Sequence, residues 1–183
     1  MVWFGVVLIQ NWHNPWFAVD RASNPLSGLD LGIHELGHIL FIPFGTFMHI
    51  AGGCLFQCLF PIMGIFAFWQ IRWYFASIMC LPWLGLNLFD VAMYAGDARS
   101  RLLPLSGWGA LGGDNSDQAY DKAHDWYQIL SRLHHLDWDH RIEHILRVVA
   151  TSVTILGLLI GSLLVAYMLA SSIRRTTSSK AIT

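Results

Sequence analysis

His34, Glu35 and His38 stand together in the run GIHELGHILF, residues 32–41. On a helix the two imidazoles lie one turn apart and about 40° from each other in projection, so both can reach one ion. Glu35 is about 60° from His38 on the same projection, which lets it miss the ion and still reach a water bound to it. That division of labour is the mechanical content of H-E-x-x-H: two imidazole ligands and one carboxylate kept as base. Zinc with three protein ligands keeps a fourth position for water and lowers the pKa of that water to about 7. A glutamate beside it accepts a proton and later hands it to the leaving amine. So short a pattern arises by chance on soluble helices. Here it sits in an apolar run, where an ionised carboxylate is costly and is a functional-site hypothesis by default.

The third ligand is open. Asn87, Asp90, Tyr94 and Asp97 are spaced three, four and three, which makes one polar stripe on an otherwise apolar helix. Such a stripe is expected to face a bundle interior. Asp90 is deep enough in it to be a ligand. Asp97 is nearer the membrane edge, where it could instead pair with Arg99 or Arg101. His124, with Asp125 beside it, is the rival ligand. His49 reads as a core or interfacial histidine. Gly52 and Gly53 with Gln57 would allow a substrate backbone to approach, although small residues serve helix packing equally well. Cys54 and Cys58 share a helix face, which makes a soft-metal pair conceivable, but with Cys80 they read as small apolar core residues. The His-rich RLHHLDWDHRIEH, with His134, His135, His140 and His144, reads as a solvated surface next to the membrane.

With those residues in view, HELGH opening an apolar helix resembles the site-2-protease type of intramembrane zinc metallopeptidase. The chain also resembles a group of uncharacterised bacterial membrane proteins with a later HDW, here His124–Asp125–Trp126. The first resemblance covers about ten residues. It implies His34 and His38 as zinc ligands and Glu35 as catalytic base. The second would cover most of residues 30–135 and implies no activity. The site-2 type takes its third ligand from an Asp in an Asn-Pro-rich LDG segment of a later span. This chain has LGLNLFDVAMYAGDAR at the corresponding place.

The elements that must carry these groups are written in the composition. The chain has 183 residues, 55% of them hydrophobic and 13% charged. A soluble domain carries roughly 25% charged residues, so this chain is not built for water on all sides. Net charge is −1, which removes any electrostatic case for nucleic acid. No Asp, Glu, Lys or Arg occurs in residues 36–71, 73–89 or 148–173. A span needs about 20 mostly apolar residues, and the first stretch is long enough to hold parts of two. The expected architecture is a single all-α membrane domain over residues 1–183, with about four transmembrane helices near 28–43, 46–69, 73–95 and 145–170. Ser27 or Asp30 is expected to cap the first of these, and Pro43 with Gly45 to end it. The QIRW stretch, residues 70–73, makes a tight turn.

Three further segments complete this reading. MVWFGVVLIQ lacks a basic start and a clear cleavage site, so it is not read as a signal peptide. It is too short to span, and Trp3, Trp12 and Trp16 suggest a segment at the membrane interface. Residues 96–144 form an extramembrane segment with a Gly-rich piece and an amphipathic helix near Ala119–Leu133. The tail IRRTTSSKAIT is basic and reads as loose. Arg174, Arg175 and Lys180, with Arg72, put the C-terminus in the cytoplasm and residues 96–144 outside.

The leading expectation is therefore a multi-pass protein of a bacterial inner membrane. It would be a zinc metallopeptidase whose partners are the lipid bilayer and a membrane protein or peptide substrate. The enzyme alternative is a di-iron membrane oxygenase of desaturase or hydroxylase type, suggested by the eight histidines other than His13 and the repeated x₃ spacing of His34/His38 and His140/His144. No H-x-x-H-H box occurs, and an oxygenase does not require Glu35. The third reading is a non-catalytic metal-binding membrane scaffold.

Overall fold

The computed structural model describes residues 1–13, 25–103, 121 and 123–180. Among these, every regular element is helical: α1 (Val2–His13), α2 (Ser27–Phe41), α3 (Thr46–Gln70), α4 (Tyr74–Gly96), α5 (Asp125–Arg132) and α6 (Asp139–Lys180). Short 3₁₀ turns at Ile42–Phe44 and Leu136–Trp138 lead into α3 and α6. The all-α class expected from the apolar runs is what the chain adopts.

Among the described residues, three helices are long and apolar enough to cross a membrane: α3, α4 and most of α6. α2 has 15 residues, short of the roughly 20 needed to span. Pro43 in the 3₁₀ turn and Gly45 stop it, as expected. Gly45 has φ +92, a conformation that L side chains rarely adopt. The expected cap is absent: Leu26 is the N-cap and no side chain bonds there. Asp30 instead turns inward, where its Oδ1 accepts the indole N–H of Trp83 on α4 at 2.8 Å.

Successive helices form antiparallel hairpins. α2 and α3 cross where two glycines meet. A Cβ on Gly37 would strike the backbone of Gly52, and one on Gly52 would lie 2.7 Å from the Gly37 carbonyl oxygen. Small residues at such a crossing let backbones approach closely. α3 and α4 are joined by a turn in which Arg72 has φ 60, and Ser77 Oγ donates to the Ile65 carbonyl at 2.8 Å. α4 and α6 make the longest contact. Gly96 faces Glu143, Gly85 faces Thr154 and Ala150, and Gly157 faces the ring of Pro82. The side chains left facing outward are apolar, among them Leu36, Ile39, Phe66, Leu159 and Leu163, which suits lipid contact.

Two terminal segments differ from expectation. α1 runs along the bundle rather than across its end: Gly161 meets the Met1 side chain, and Leu8 packs on the cluster of Phe89, Met93, Leu103 and Ala150. Trp16 lies outside the described residues. The C-terminal tail is helical through Lys180, because no Gly or Pro after Gly161 stops the helix. Of the amphipathic helix expected near Ala119–Leu133, Asp121 and Ala123 are helical, His124 is extended (φ −95, ψ 101), and α5 starts at Asp125. The Gly-rich piece, residues 107–117, also lies outside the described residues.

Candidate metal centre

His34 and His38 are successive rungs on the inner face of α2. Their Nε2 atoms are 3.1 Å apart. Asp125 Oδ2 lies 3.2 Å from His34 Nε2 and 3.3 Å from His38 Nε2. Three donors at about 2.0–2.1 Å from a tetrahedral zinc are themselves about 3.3–3.4 Å apart. The three atoms therefore stand at the corners of a triangle that one such ion would fit.

The imidazole proton positions favour the same use. His38 Nδ1 donates to the His49 carbonyl at 2.8 Å, and His49 Nδ1 donates back to the His38 carbonyl at 2.8 Å. His34 Nδ1 is 3.1 Å from Gln57 Oε1, which can only accept in this orientation. Both rings thus donate Nδ1–H to an outer acceptor and turn Nε2 inward. A partner that fixes the outer nitrogen of a ligating imidazole is the usual support for a metal site.

Gly53 keeps the interior open. A Cβ there would lie 2.6 Å from both Nε2 atoms, inside the space between the donors. Cys54, the next residue, is buried, and its Sγ forms a cluster with His34 and Asp125 ligand atoms, all within 4.8 Å of one another. Glu35 is half-buried on the same turn of α2.

Asp125 arrives from outside the helical hairpins. It opens α5, and His124 caps that helix: His124 Nδ1 accepts from the Tyr127 N–H at 3.2 Å. Tyr94 holds the approach, its hydroxyl accepting the Asp125 N–H at 3.1 Å and donating to the Ala123 carbonyl at 3.4 Å. Burial works to raise the Asp125 pKa, but the two imidazoles outweigh it and hold the carboxyl below its usual value. The charged form is the one a metal needs.

The other candidates for third ligand lie elsewhere. Asp90 stands behind Gln57 and accepts its amide N–H at 2.8 Å. Asp97 closes the end of α4, accepting from Ser100 Oγ and from the Leu102 and Leu103 N–H groups at 2.7, 2.7 and 3.0 Å. It pairs with neither arginine. Arg99 forks onto Asp139 at 2.6 and 2.7 Å, and Arg101 pairs with Asp121 at 2.6 Å. His124 uses Nδ1 as an acceptor, so its proton is on Nε2, which faces Asp97 Oδ2 at 3.5 Å. Burial lowers its pKa, against the pull of Asp97. The polar stripe on α4 does face the interior, where it supports the groups nearest the imidazoles.

Sequence reasoning placed Asp125 only as the neighbour of His124, and gave Gln57 and Cys54 no place beside the imidazoles. For Asp125 the one available signal was the adjacent pair His-Asp: a residue that caps a helix fixes the direction of its successor.

No protein-family model, no curated protein and no solved structure matches this chain. The resemblance to site-2-type peptidases thus rests on HELGH itself, and the functional argument rests on the geometry around it.

Proposed function

We propose that this chain is a membrane-embedded zinc metallopeptidase, with His34, His38 and Asp125 as the metal ligands and Glu35 as the base. The observation that carries the proposal is the convergence of two Nε2 atoms and one carboxylate oxygen within 3.3 Å of one another, with a carboxylate to spare on the same helical turn. Zinc held there supplies a Lewis acid and a water acidic enough to ionise near neutral pH. Glu35 accepts the proton of the attacking water and returns it to the departing amine nitrogen. The Nδ1–H groups of His34 and His38 are engaged by Gln57 Oε1 and the His49 carbonyl, which leaves Nε2 as the atom each ring would offer the metal. Asp125 balances part of the dication's charge and, being on a separate helix, brings the extramembrane segment onto the site.

The substrate is a peptide segment of a membrane protein, or a peptide at the bilayer edge, in unwound form. A helical segment would present carbonyls already hydrogen-bonded. The proposed setting is a bacterial inner membrane, with α2 as a fourth embedded helix shielded by α3. The Arg72 turn and the basic C-terminal end lie together at one end of the bundle and are placed in the cytoplasm. The metal centre then lies toward the opposite end, where α5 meets it through Asp125.

One observation favours a second reading. Cys54 Sγ is close to His34 and Asp125, and a thiolate in the fourth position would close the site, as in structural zinc centres. The protein would then be the non-catalytic scaffold. The di-iron alternative has less support: three donors converging on one point suit a single ion, and His140 is engaged with Glu143 at 3.2 Å on an exposed surface.

The deciding experiment uses full-length protein in nanodiscs. Zinc is measured by elemental analysis, and cleavage of unwound transmembrane peptides by mass spectrometry. About one zinc per chain with hydrolysis supports the peptidase, and two irons would support the oxygenase. Zinc without hydrolysis of any peptide, with a thiolate–metal absorption band after cobalt exchange, would support the scaffold.

A further inference from the structure

Gln57 is 2% exposed and sits in the middle of α3, within a helix long and apolar enough to cross a membrane. An amide there is costly unless both its ends are bonded. Both are. Oε1 accepts from His34 Nδ1 at 3.1 Å, and Nε2 donates to Asp90 Oδ2 at 2.8 Å and to Asn87 Oδ1 at 3.4 Å. Asn87 Nδ2 donates in turn to the Gln57 backbone carbonyl at 3.0 Å.

The direction of these bonds is determined from the α4 side. A carboxylate can only accept, so Asp90 requires the NH₂ end of Gln57. Asn87 requires the same, since its own NH₂ is spent on the Gln57 carbonyl. Oε1 is therefore turned toward α2 and can accept only a proton carried by His34 Nδ1. A flipped amide would set oxygen against the Asp90 carboxylate and NH₂ against His34, forcing the imidazole proton onto Nε2, where it would block a metal. His38 gets its orientation from the His49 backbone carbonyl on the first turn of α3. His34 has no such carbonyl partner and takes its orientation from two helices away.

We infer that Gln57 and Asp90 are positioning residues, a relay from α4 through α3 that holds His34 with its Nε2 lone pair on the metal centre. The inference rests on the metal reading proposed above. It assigns Asp90 a role other than ligation, and it makes the α3–α4 hairpin part of the site although neither helix supplies one of the three proposed ligands.

The test is zinc affinity of the full-length chain in nanodiscs, measured by competition with a chromophoric chelator. It is combined with imidazole ¹⁵N shifts of the zinc-free protein, the His34 signal being assigned by its loss in His34→Asn. Loss of an outer partner typically costs about 10- to 100-fold in metal affinity, and that loss is expected for Gln57→Leu. Its His34 shifts should move from the Nδ1-protonated pattern toward a tautomer mixture. Gln57→Glu alone sets two carboxylates face to face and should weaken zinc binding similarly. Combined with Asp90→Asn it restores an acceptor toward His34 and a donor behind it, so the double variant should regain most of the affinity lost. That rescue is what a merely structural role would not produce.

Wild-type protein that binds no zinc would sink the metal reading itself. Wild-type binding with unchanged affinity and unchanged His34 shifts in Gln57→Leu would overturn the relay alone. So would failure of the folded double variant to recover affinity. Should Gln57→Leu not fold, Gln57→Glu and the double variant decide the matter by the same two readouts.

Discussion

Asp125 Oδ2 lies 3.2 Å from His34 Nε2, although 91 residues separate them in the chain. The contact joins the first turn of α5 to the middle of α2. If it completes a metal centre, Asp125→Ala should reduce zinc affinity as severely as His34→Ala or His38→Ala. Each loss should exceed the about 10- to 100-fold that removing an outer partner costs. Asp97→Asn and His124→Asn should keep stoichiometric zinc in elemental analysis of the folded variant. Stoichiometric zinc in Asp125→Ala would remove Asp125 from the ligand set.

Glu35→Gln separates ligand from base. The amide keeps the shape of the side chain but cannot take a proton. Zinc content should therefore be unchanged while peptide hydrolysis falls by roughly 10²-fold or more, the usual contribution of a general base. Parallel loss of zinc would make Glu35 a ligand, and full activity would end the peptidase mechanism.

Two glycines one helix apart should fail in different ways. Gly53→Ala would put a methyl group 2.6 Å from both Nε2 atoms, so the folded protein should lose zinc. Gly37→Ala would drive a methyl group into the Gly52 backbone and should cost stability, by about 1–3 kcal/mol as for other overpacked sites. Thermal unfolding and zinc titration of both variants distinguish the two effects. Equal zinc affinity in Gly53→Ala and wild type would mean that the space between the imidazoles is not where the ion binds.

Tyr94 touches no proposed ligand atom, yet it bonds the backbone on both sides of His124. Tyr94→Phe removes both bonds and leaves the ring in place. Zinc affinity should fall about 10-fold, the lower end of the range for outer partners. No change would show that α5 docks without this clasp.

Cys54→Ser probes the fourth position. In an open site the variant keeps zinc and hydrolysis, and cobalt-substituted wild-type protein shows no thiolate charge-transfer band. A strong band that disappears in Cys54→Ser would instead identify a closed four-donor centre and favour the scaffold.

Much of the local structure was legible in the sequence. Long charge-free runs announced helices long and apolar enough to cross a membrane, and Pro43, Gly45 and the residues before Trp73 marked their ends to within a residue or so. His34, Glu35 and His38 could be assigned a common purpose because they share one helical turn, where spacing alone dictates direction. The polar stripe on α4 could be placed inward for the same reason. What each member of the stripe bonds to was a different matter. Residue type and depth left Asp90, His124 and Asp97 all open, and the place of Asp125 beside the imidazoles depended on how α5 lands on the α2–α3 hairpin. That landing follows from the His124 cap, local to α5, and from the Tyr94 clasp and the Arg99–Asp139 fork, which join residues distant in the chain. Helical periodicity determines direction within an element. Which donor completes a three-dimensional site is decided by the packing of one element on another, and no spacing along the chain encodes that distance.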